Sequence, residues 1–362
     1  MRPKGITMKD IANAAGVSQT TVSLILNRKF DSFHAETVKK VMDTAKSMNY
    51  QFPHSFSQFE SNTVMVISVQ SANPYYAAMQ QGIDKAAFSQ SFNLISVCTY
   101  HNPDLEATYL QFAIEQRLRG VIFLCLPDNL EAYENACASL PVVVVCDKDA
   151  NVRGDIVELN HFDAGALAAR HLLSQGHTHI AVLSHVIDGS TSSAKSRLNG
   201  ILSEVQKGAS KENLLMLTSK STWSNVLENP NFHYQVGYTL AQDKRLYQSG
   251  VTGIICVNDM MAYGAMDVII GKGFRIPEDF SIIGSDNLVF SQMPQVSLTT
   301  VEFYASVIAQ SALTTLLNRT SLSDSSPLVY SAAQFRVQCQ PSLLVRDSTG
   351  PARTHALPQA AK

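Results

Sequence analysis

Apolar residues in the first fifty positions recur with a helical period. Ile11, Ala14 and Ala15 share one face of a short helix in the first half of residues 7–27. Thr7 stands at its N-cap, with Asp10 three residues on, where a capping-box partner belongs. Gly16 can end that helix in the left-handed conformation. Ser18 then caps a second helix whose apolar face is Val22, Ile25 and Leu26. Its other face carries Gln19, Thr20 and Ser23, short hydrogen-bonding side chains. A third helix is predicted over 35–48, with Val38, Val41, Met42 and Ala45 as its buried stripe. Together the three close a headpiece over residues 1–50. This is a helix-turn-helix arrangement, in which one helix braces and the next presents polar groups to base edges in a major groove. A hairpin that only packs has no need of such a polar row.

Residues 51–61 break the pattern. Pro53 and the serines predict a linker, although Phe52, Phe56 and Phe59 would share a face if it became helical. From Thr63 the pattern changes to continuous β-branched runs alternating with amphipathic ones. Strands are predicted at 64–69, 94–98, 120–124, 142–146, 180–183, 214–217, 254–257 and 281–284. Helices are predicted at 75–89, 105–116, 163–174, 194–206, 234–248, 259–271 and 304–318. Uninterrupted apolar strands are covered on both faces, so this is a doubly wound α/β body with parallel sheets. Residues 62–349 are too many for one such sheet, and two lobes with a cleft between them are expected. A disordered tail is expected over 350–362.

Charge sharpens this picture. Residues 1–50 hold eight basic and four acidic side chains, a net +4, in a chain of net −2. A basic head on an acidic body fits a head that meets phosphate. With 45% hydrophobic and 16% charged residues, the 362-residue chain can bury a large core and is not a disordered scaffold. No apolar run reaches the roughly 18–20 residues of a membrane span. The N-terminus lacks a secretory pattern, so a cytosolic protein with no membrane partner is expected. Cys98, Cys125, Cys146 and Cys256 lie in or beside strand-like runs, and no C-x-x-C pair occurs. Reduced, buried thiols are expected, as is the absence of any metal or cofactor. His177 and His179 read as turn residues. No G-x-S-x-G, P-loop or H-E-x-x-H pattern points to an enzyme.

Segments along nearly the whole chain resemble the lactose repressor / galactose repressor family. The headpiece carries Thr7, Asp10-Ile-Ala, Ala15-Gly-Val-Ser, Thr21-Val-Ser and Leu26-Asn. The body carries Asn73-Pro-Tyr-Tyr, Leu118-Arg-Gly-Val-Ile, Ala169-Arg-His-Leu-Leu, Arg197-Leu-Asn-Gly, Asn258-Asp and Ser281-Ile-Ile-Gly-Ser-Asp. Leu298-Thr-Thr-Val and Leu344-Val-Arg-Asp-Ser-Thr close the series. The resemblance implies a homodimeric transcription regulator, expected to act as a repressor. Its body would be similar to periplasmic sugar-binding proteins, with two lobes joined by three crossovers. Its partners would be a pseudo-palindromic double-stranded DNA operator and a small-molecule effector of the carbohydrate class.

The same resemblance carries residue roles. Gln19, Thr20 and Ser23 would face bases, and Thr7, Ser18, Thr21 and Asn27 would contact phosphates. Leu24 stands where many relatives carry an Arg, which implies a different operator half-site. The hinge pattern is displaced at Pro53 and lacks its basic residue. Phe59 occupies the position of a minor-groove wedge, and the alternative is that it covers the lobe or the dimer partner. Tyr75, Tyr76, Asp147, Arg197, Trp223, Asn258 and Asp286 would line the effector cleft. Bidentate polar groups and a stacking aromatic suit a sugar. Ser285 and Asn287 depart from the residues frequent in relatives, which leaves a nucleoside as an alternative ligand; a body that answers to a protein partner, with structural cleft residues, is a separate alternative.

Overall fold

The computed structural model describes residues 6–26, 33–48, 50, 62–147, 152–187, 193–208, 213–221, 227–325, 334–354 and 356–357. The chain divides into two units, residues 1–60 and 61–362.

The first unit contains α1 (Met8–Ala15), α2 (Gln19–Leu26) and α3 (Ala35–Ser47). The capping box forms: the Asp10 amide donates to Thr7 Oγ1, and the Thr7 amide donates to the Asp10 carboxylate. Gly16 closes α1 at φ +68°, a conformation that a Cβ would strain although the space beside it is open. The core is Ile11, Ala12, Ala15, Val22, Ile25, Val41, Ala45 and Tyr50. Ala12 takes the place expected of Ala14, which is exposed. The reason is that α1 packs against both α2 and α3, which turns its buried arc toward position 12. Met42 is also exposed, while Val41 and Ala45 are buried and Val38 packs against the same core. Pro53, Phe52, Phe56 and Phe59 lie outside the described residues.

The second unit holds two six-stranded sheets. The first contains β1 (Thr63–Ser68), β2 (Asn93–Cys98), β3 (Gly120–Phe123), β4 (Val142–Asp147) and β5 (Asp155–Leu159), closed by β11 (Arg336–Cys339). Its order is β11-β5-β4-β3-β1-β2, and every pair is parallel. The second contains β6 (Ile180–Ile187), β7 (Leu214–Ser221), β8 (Gly253–Cys256), β9 (Ser281–Ser285) and β10 (Thr299–Glu302), with β12 (Ser342–Leu344) at its edge. Its order is β12-β10-β9-β8-β6-β7. Only β12 runs antiparallel to its neighbour.

Helices α4 (Pro74–Ser89), α5 (Pro103–Glu115) and α6 (Leu130–Ser139) follow successive strands of the first lobe. Helices α7 (His161–Ser174), α8 (Ser193–Gly208), α9 (Phe232–Ala241), α10 (Arg245–Gln248) and α11 (Asp259–Gly271) belong to the second. Helix α12 (Ala305–Ser325) returns to pack on α4 and on β3, β4 and β5. The chain therefore passes between lobes after β5, after β10 and after β11, which makes the three expected crossovers.

Four strands lack the apolar run that marks the others. Strand β5 carries Asp155 and Glu158, both buried. Each is matched by a cation distant in sequence. Arg319 donates from two nitrogens to Asp155, the Phe335 amide adds a third bond, and Arg336 donates to Glu158 at 2.7 Å. The expected tail also starts too early. The Gly350 amide donates to Ser281 Oγ, Ala352 to the Gln175 carbonyl, and Arg353 to the Val251 carbonyl. His177 lies in the connection before β6, as a turn residue would. It is buried, donates from Nε2 to the Gly350 carbonyl and accepts at Nδ1 from Thr252.

Candidate functional site

In the headpiece, the small polar residues divide into two kinds. Ser18 Oγ accepts the Thr21 amide at 3.0 Å and lies 2.8 Å from Thr21 Oγ1, so these hydroxyls start α2. Thr7 is occupied in the same way at α1. Gln19 and Thr20 stand exposed on the first turn of α2, and Ser23 is half-buried one turn further. Leu24 is half-buried too. Lys9, Lys39 and Lys40 are exposed. Asn27 and Phe59 lie outside the described residues.

In the body, a cleft of about 390 Å³ opens between the lobes. Tyr75, Tyr76, Asp147, Arg197, Asn258 and Asp286 all line it, although they come from five segments. Trp223 lies outside the described residues. The placement follows from the sheets. Asp147 ends β4, Asn258 follows β8 and Asp286 follows β9, so each stands beyond the carboxyl end of a parallel strand. Tyr75 and Tyr76 sit in the first turn of α4, started by Pro74 and capped by the Asn73 side chain. Their rings meet edge to face at 5.8 Å. Arg197 is set by a close helix crossing. A Cβ on Gly165 of α7 would fall 1.9 Å from the Arg197 carbonyl, and one on Gly200 of α8 equally close to the Phe162 carbonyl.

The electrostatics of the two walls differ. On the first lobe, Asp147 is buried and Asp128 accepts from His101 Nδ1 at 3.0 Å. Tyr100 and His101 both adopt positive φ, which turns the imidazole into the cleft. Buried Glu106 holds the loop that carries Asp128 by accepting the Asp128 and Asn129 amides. On the second lobe, Arg197 donates from Nε to His161 Nδ1 at 3.2 Å and from a second nitrogen to the Val257 carbonyl. Burial, and then the Arg197 charge, hold His161 well below its ordinary pKa. The same two causes lower His185 to about 4. Burial, then His185 and Arg197, lower His233 to about 3. These imidazoles are neutral near pH 7. Burial pushes Asp286 up to about 8, against the pull of Arg197 and helped by Asp259 and Glu302. Among the described residues, the buried Tyr75 hydroxyl and Nδ1 of His185 and His233 have no hydrogen-bond partner.

Among the described residues the wall thus holds unused hydrogen-bonding capacity and more carboxyl groups than arginines or lysines. An uncharged, donor-rich small molecule would satisfy both. Among the described residues no group of three or more His, Cys, Asp or Glu is arranged to hold a metal. No described helix is long and apolar enough to cross a membrane.

Residues 7–52 match the family described as bacterial regulatory proteins, lacI family, and residues 169–349 match the periplasmic binding protein-like domain. A relative from Mannheimia succiniciproducens, the HTH-type transcriptional repressor PurR, is 31% identical over 348 residues, covering 94% of this chain and 98% of its own. The chain belongs to the LacI family.

It is a DNA-binding transcriptional repressor of that family. A PurR repressor from Pasteurella multocida is also 31% identical, over 349 residues, with 94% and 98% covered. The body is similar to a LacI family regulator from Enterococcus faecium solved with bound ribose, at 25% identity and TM-score 0.66, over 80% of this chain and all of that one. The lac repressor dimer bound to operator shares the fold, at 23% identity and TM-score 0.63, over 96% of this chain.

The sequence reading of this LacI-family cleft passed over His101, Asp128, His161, His185 and His233. One signal was available for His185: a polar residue at the carboxyl end of an apolar strand in an α/β protein. His233 and Asp128 sit on a helix and a loop with no distinguishing pattern.

Proposed function

We propose that Gln19, Thr20 and Ser23 read base edges of a pseudo-palindromic operator, and that the interlobe cleft holds an uncharged, hydroxyl-rich effector of the sugar class. One observation carries the effector reading. Among the described residues that line the cleft of about 390 Å³, Asp128, Asp147 and Asp286, the last held protonated near pH 7 by burial, face one arginine, Arg197, while His161, His185 and His233 are neutral. Carboxylates accept from vicinal hydroxyls and repel phosphate, so a free sugar fits and a sugar phosphate does not. In this reading Tyr75 and Tyr76 supply ring faces, while Asn258, Arg197, Asp147 and Asp286 supply the polar contacts. Trp223 belongs to the same set. Thr7, Ser18, Thr21 and Asn27 contact phosphates, and Phe59 wedges the minor groove. A homodimer brings two headpieces to one operator and multiplies their affinity. The effector acts through its different affinities for the DNA-competent and DNA-incompetent states. The protein works where its operator is, in the cytosol.

A nucleobase or nucleoside is the second reading. It is favoured by the ring-rich wall of Tyr75, Tyr76, His161, His185 and His233, and by full-length likeness to repressors named PurR. The test is selection of bound DNA from a random library, followed by thermal shift and operator titration against free sugars, sugar phosphates, nucleosides and nucleobases. Stabilisation by free sugars with none by their phosphates is expected. Stabilisation by nucleobases alone would replace the sugar reading. A silent panel with operator binding intact would favour a protein partner.

A further inference from the structure

We propose that Asn287 is the positioning residue that holds Asp286 in the cleft wall and ties it to two of the three interlobe crossovers. The proposal rests on Asp286 facing the effector. Asp286 and Asn287 follow β9 with φ of +116° and +47°, two consecutive non-glycine residues in left-handed backbone. Such a pair persists only where its surroundings over-determine it.

The Asn287 amide supplies that determination. Its Nδ2 donates to Glu302, and its Oδ1 accepts from Arg346 at 2.6 Å. Its backbone amide donates to Thr300 Oγ1 at 3.3 Å. Glu302 only accepts and the Arg346 guanidinium only donates, so the side chain between them must do both. An amide can, and a carboxylate or an apolar side chain cannot. From Glu302 the chain of contacts continues outward. Glu302 also accepts the amide of Tyr304, which lies in the second crossover. The Tyr304 hydroxyl lies 2.7 Å from Ser342 Oγ, and Ser342 opens β12 just after the third crossover. Beneath this line, buried Asp259 accepts the Leu288 amide and the Ser291 and Thr300 hydroxyls, which anchors the loop after Asp286 to α11. The charged groups around Asn287 are thus Asp259 and Asp286 on one side, and Glu302 and Arg346 on the other.

A ligand gripping Asp286 therefore pulls on the segments about which the lobes turn, through side-chain contacts that have a definite donor order. Spatial adjacency alone does not establish coupling, so the test must perturb the contact and read the crossovers. Hydrogen exchange of the full chain, with no effector added, reads residues 283–289, 300–306 and 338–346. Asn287→Gly keeps the left-handed backbone and removes only the amide group. Asn287→Asp sets a carboxylate against Glu302. Each is expected to raise exchange in all three segments by about tenfold, with the headpiece unchanged. The double variant Asn287→Asp with Glu302→Gln reverses the donor order and keeps the Arg346 contact. It is expected to return exchange to the starting level. The melting loss of Asn287→Asp should also grow as pH rises above the carboxylate range, and vanish in the double variant. Faster exchange confined to 283–289 would overturn the proposal, as would a double variant that stays loose. If Asn287→Asp does not fold, Asn287→Gly decides the question alone. Failure of every sugar and nucleoside in the panel would remove the effector reading and leave this result unaffected.

Discussion

Gln19 and Thr20 stand in solvent on an eight-residue helix, over a core of eight side chains. Asp147, Arg197 and Asp286 stand in a cleft between two six-stranded lobes. The headpiece offers neutral side chains held by local caps. The cleft offers charges held by residues tens of positions away in the chain. Exposed neutral groups make contacts of modest, nearly additive energy that pH does not alter. Enclosed charges are strongly coupled to their partners, and their protonation answers to the whole wall. DNA recognition and effector recognition in this protein should therefore fail in different ways when perturbed.

The largest contrast should come from a buried ion pair of the body. Arg319→Met leaves Asp155 buried without its cation, and calorimetry should show a loss of about 3–5 kcal/mol in the body transition alone. Ile25→Ala should cost about 2–5 kcal/mol in the headpiece core, enough to abolish operator binding. The body's melting and its response to small molecules should stay as they were, and a shift in either would blur the division. Gln19→Ala is expected to relax discrimination at one base pair by about 1–3 kcal/mol in competition titrations, with no change between pH 6 and 8.

Asp286→Asn tests the charged side of the contrast. The folded pKa of about 8 lies above the ordinary value near 3.9, so the folded state binds the extra proton. That contribution is complete below the unfolded pKa and is lost as pH rises through about 8. The natural protein should therefore lose about 1–2 kcal/mol across that window, a figure reduced by solvent in the cleft, and the Asn variant should not. Equal pH profiles would show that Arg197 already keeps Asp286 ionised. Ser18→Ala is the smallest effect, about 1 kcal/mol of headpiece stability from a lost N-cap.

Legibility followed the range of the interactions involved. The capping box at Thr7 and Asp10, the left-handed stop at Gly16 and the cap at Ser18 each act within four residues, and the structure has all three. Eight strands declare themselves by apolar runs and are present. Strand β5 was hidden because its Asp155 and Glu158 read as polar until Arg319 and Arg336 are brought beside them. Ala14 and Ala12 were exchanged because periodicity gives the width of a buried arc and not which neighbours it faces. The six described residues expected of the effector site were found through likeness to a family. The histidines opposite them have no equivalent in a local pattern.

The order of residues alone determined the helix pair of the headpiece, the alternation that builds two parallel sheets, and the placement of Asp147, Asn258 and Asp286 at strand ends. Those features depend on backbone geometry and hydrophobic period, which act over a few residues. Only the folded chain decided which side chains share the cleft, that His161, His185 and His233 are neutral there, and that Asn287 joins Asp286 to Glu302 and Arg346. Burial and charge pairing are properties of three-dimensional neighbourhoods, and no stretch of sequence contains them.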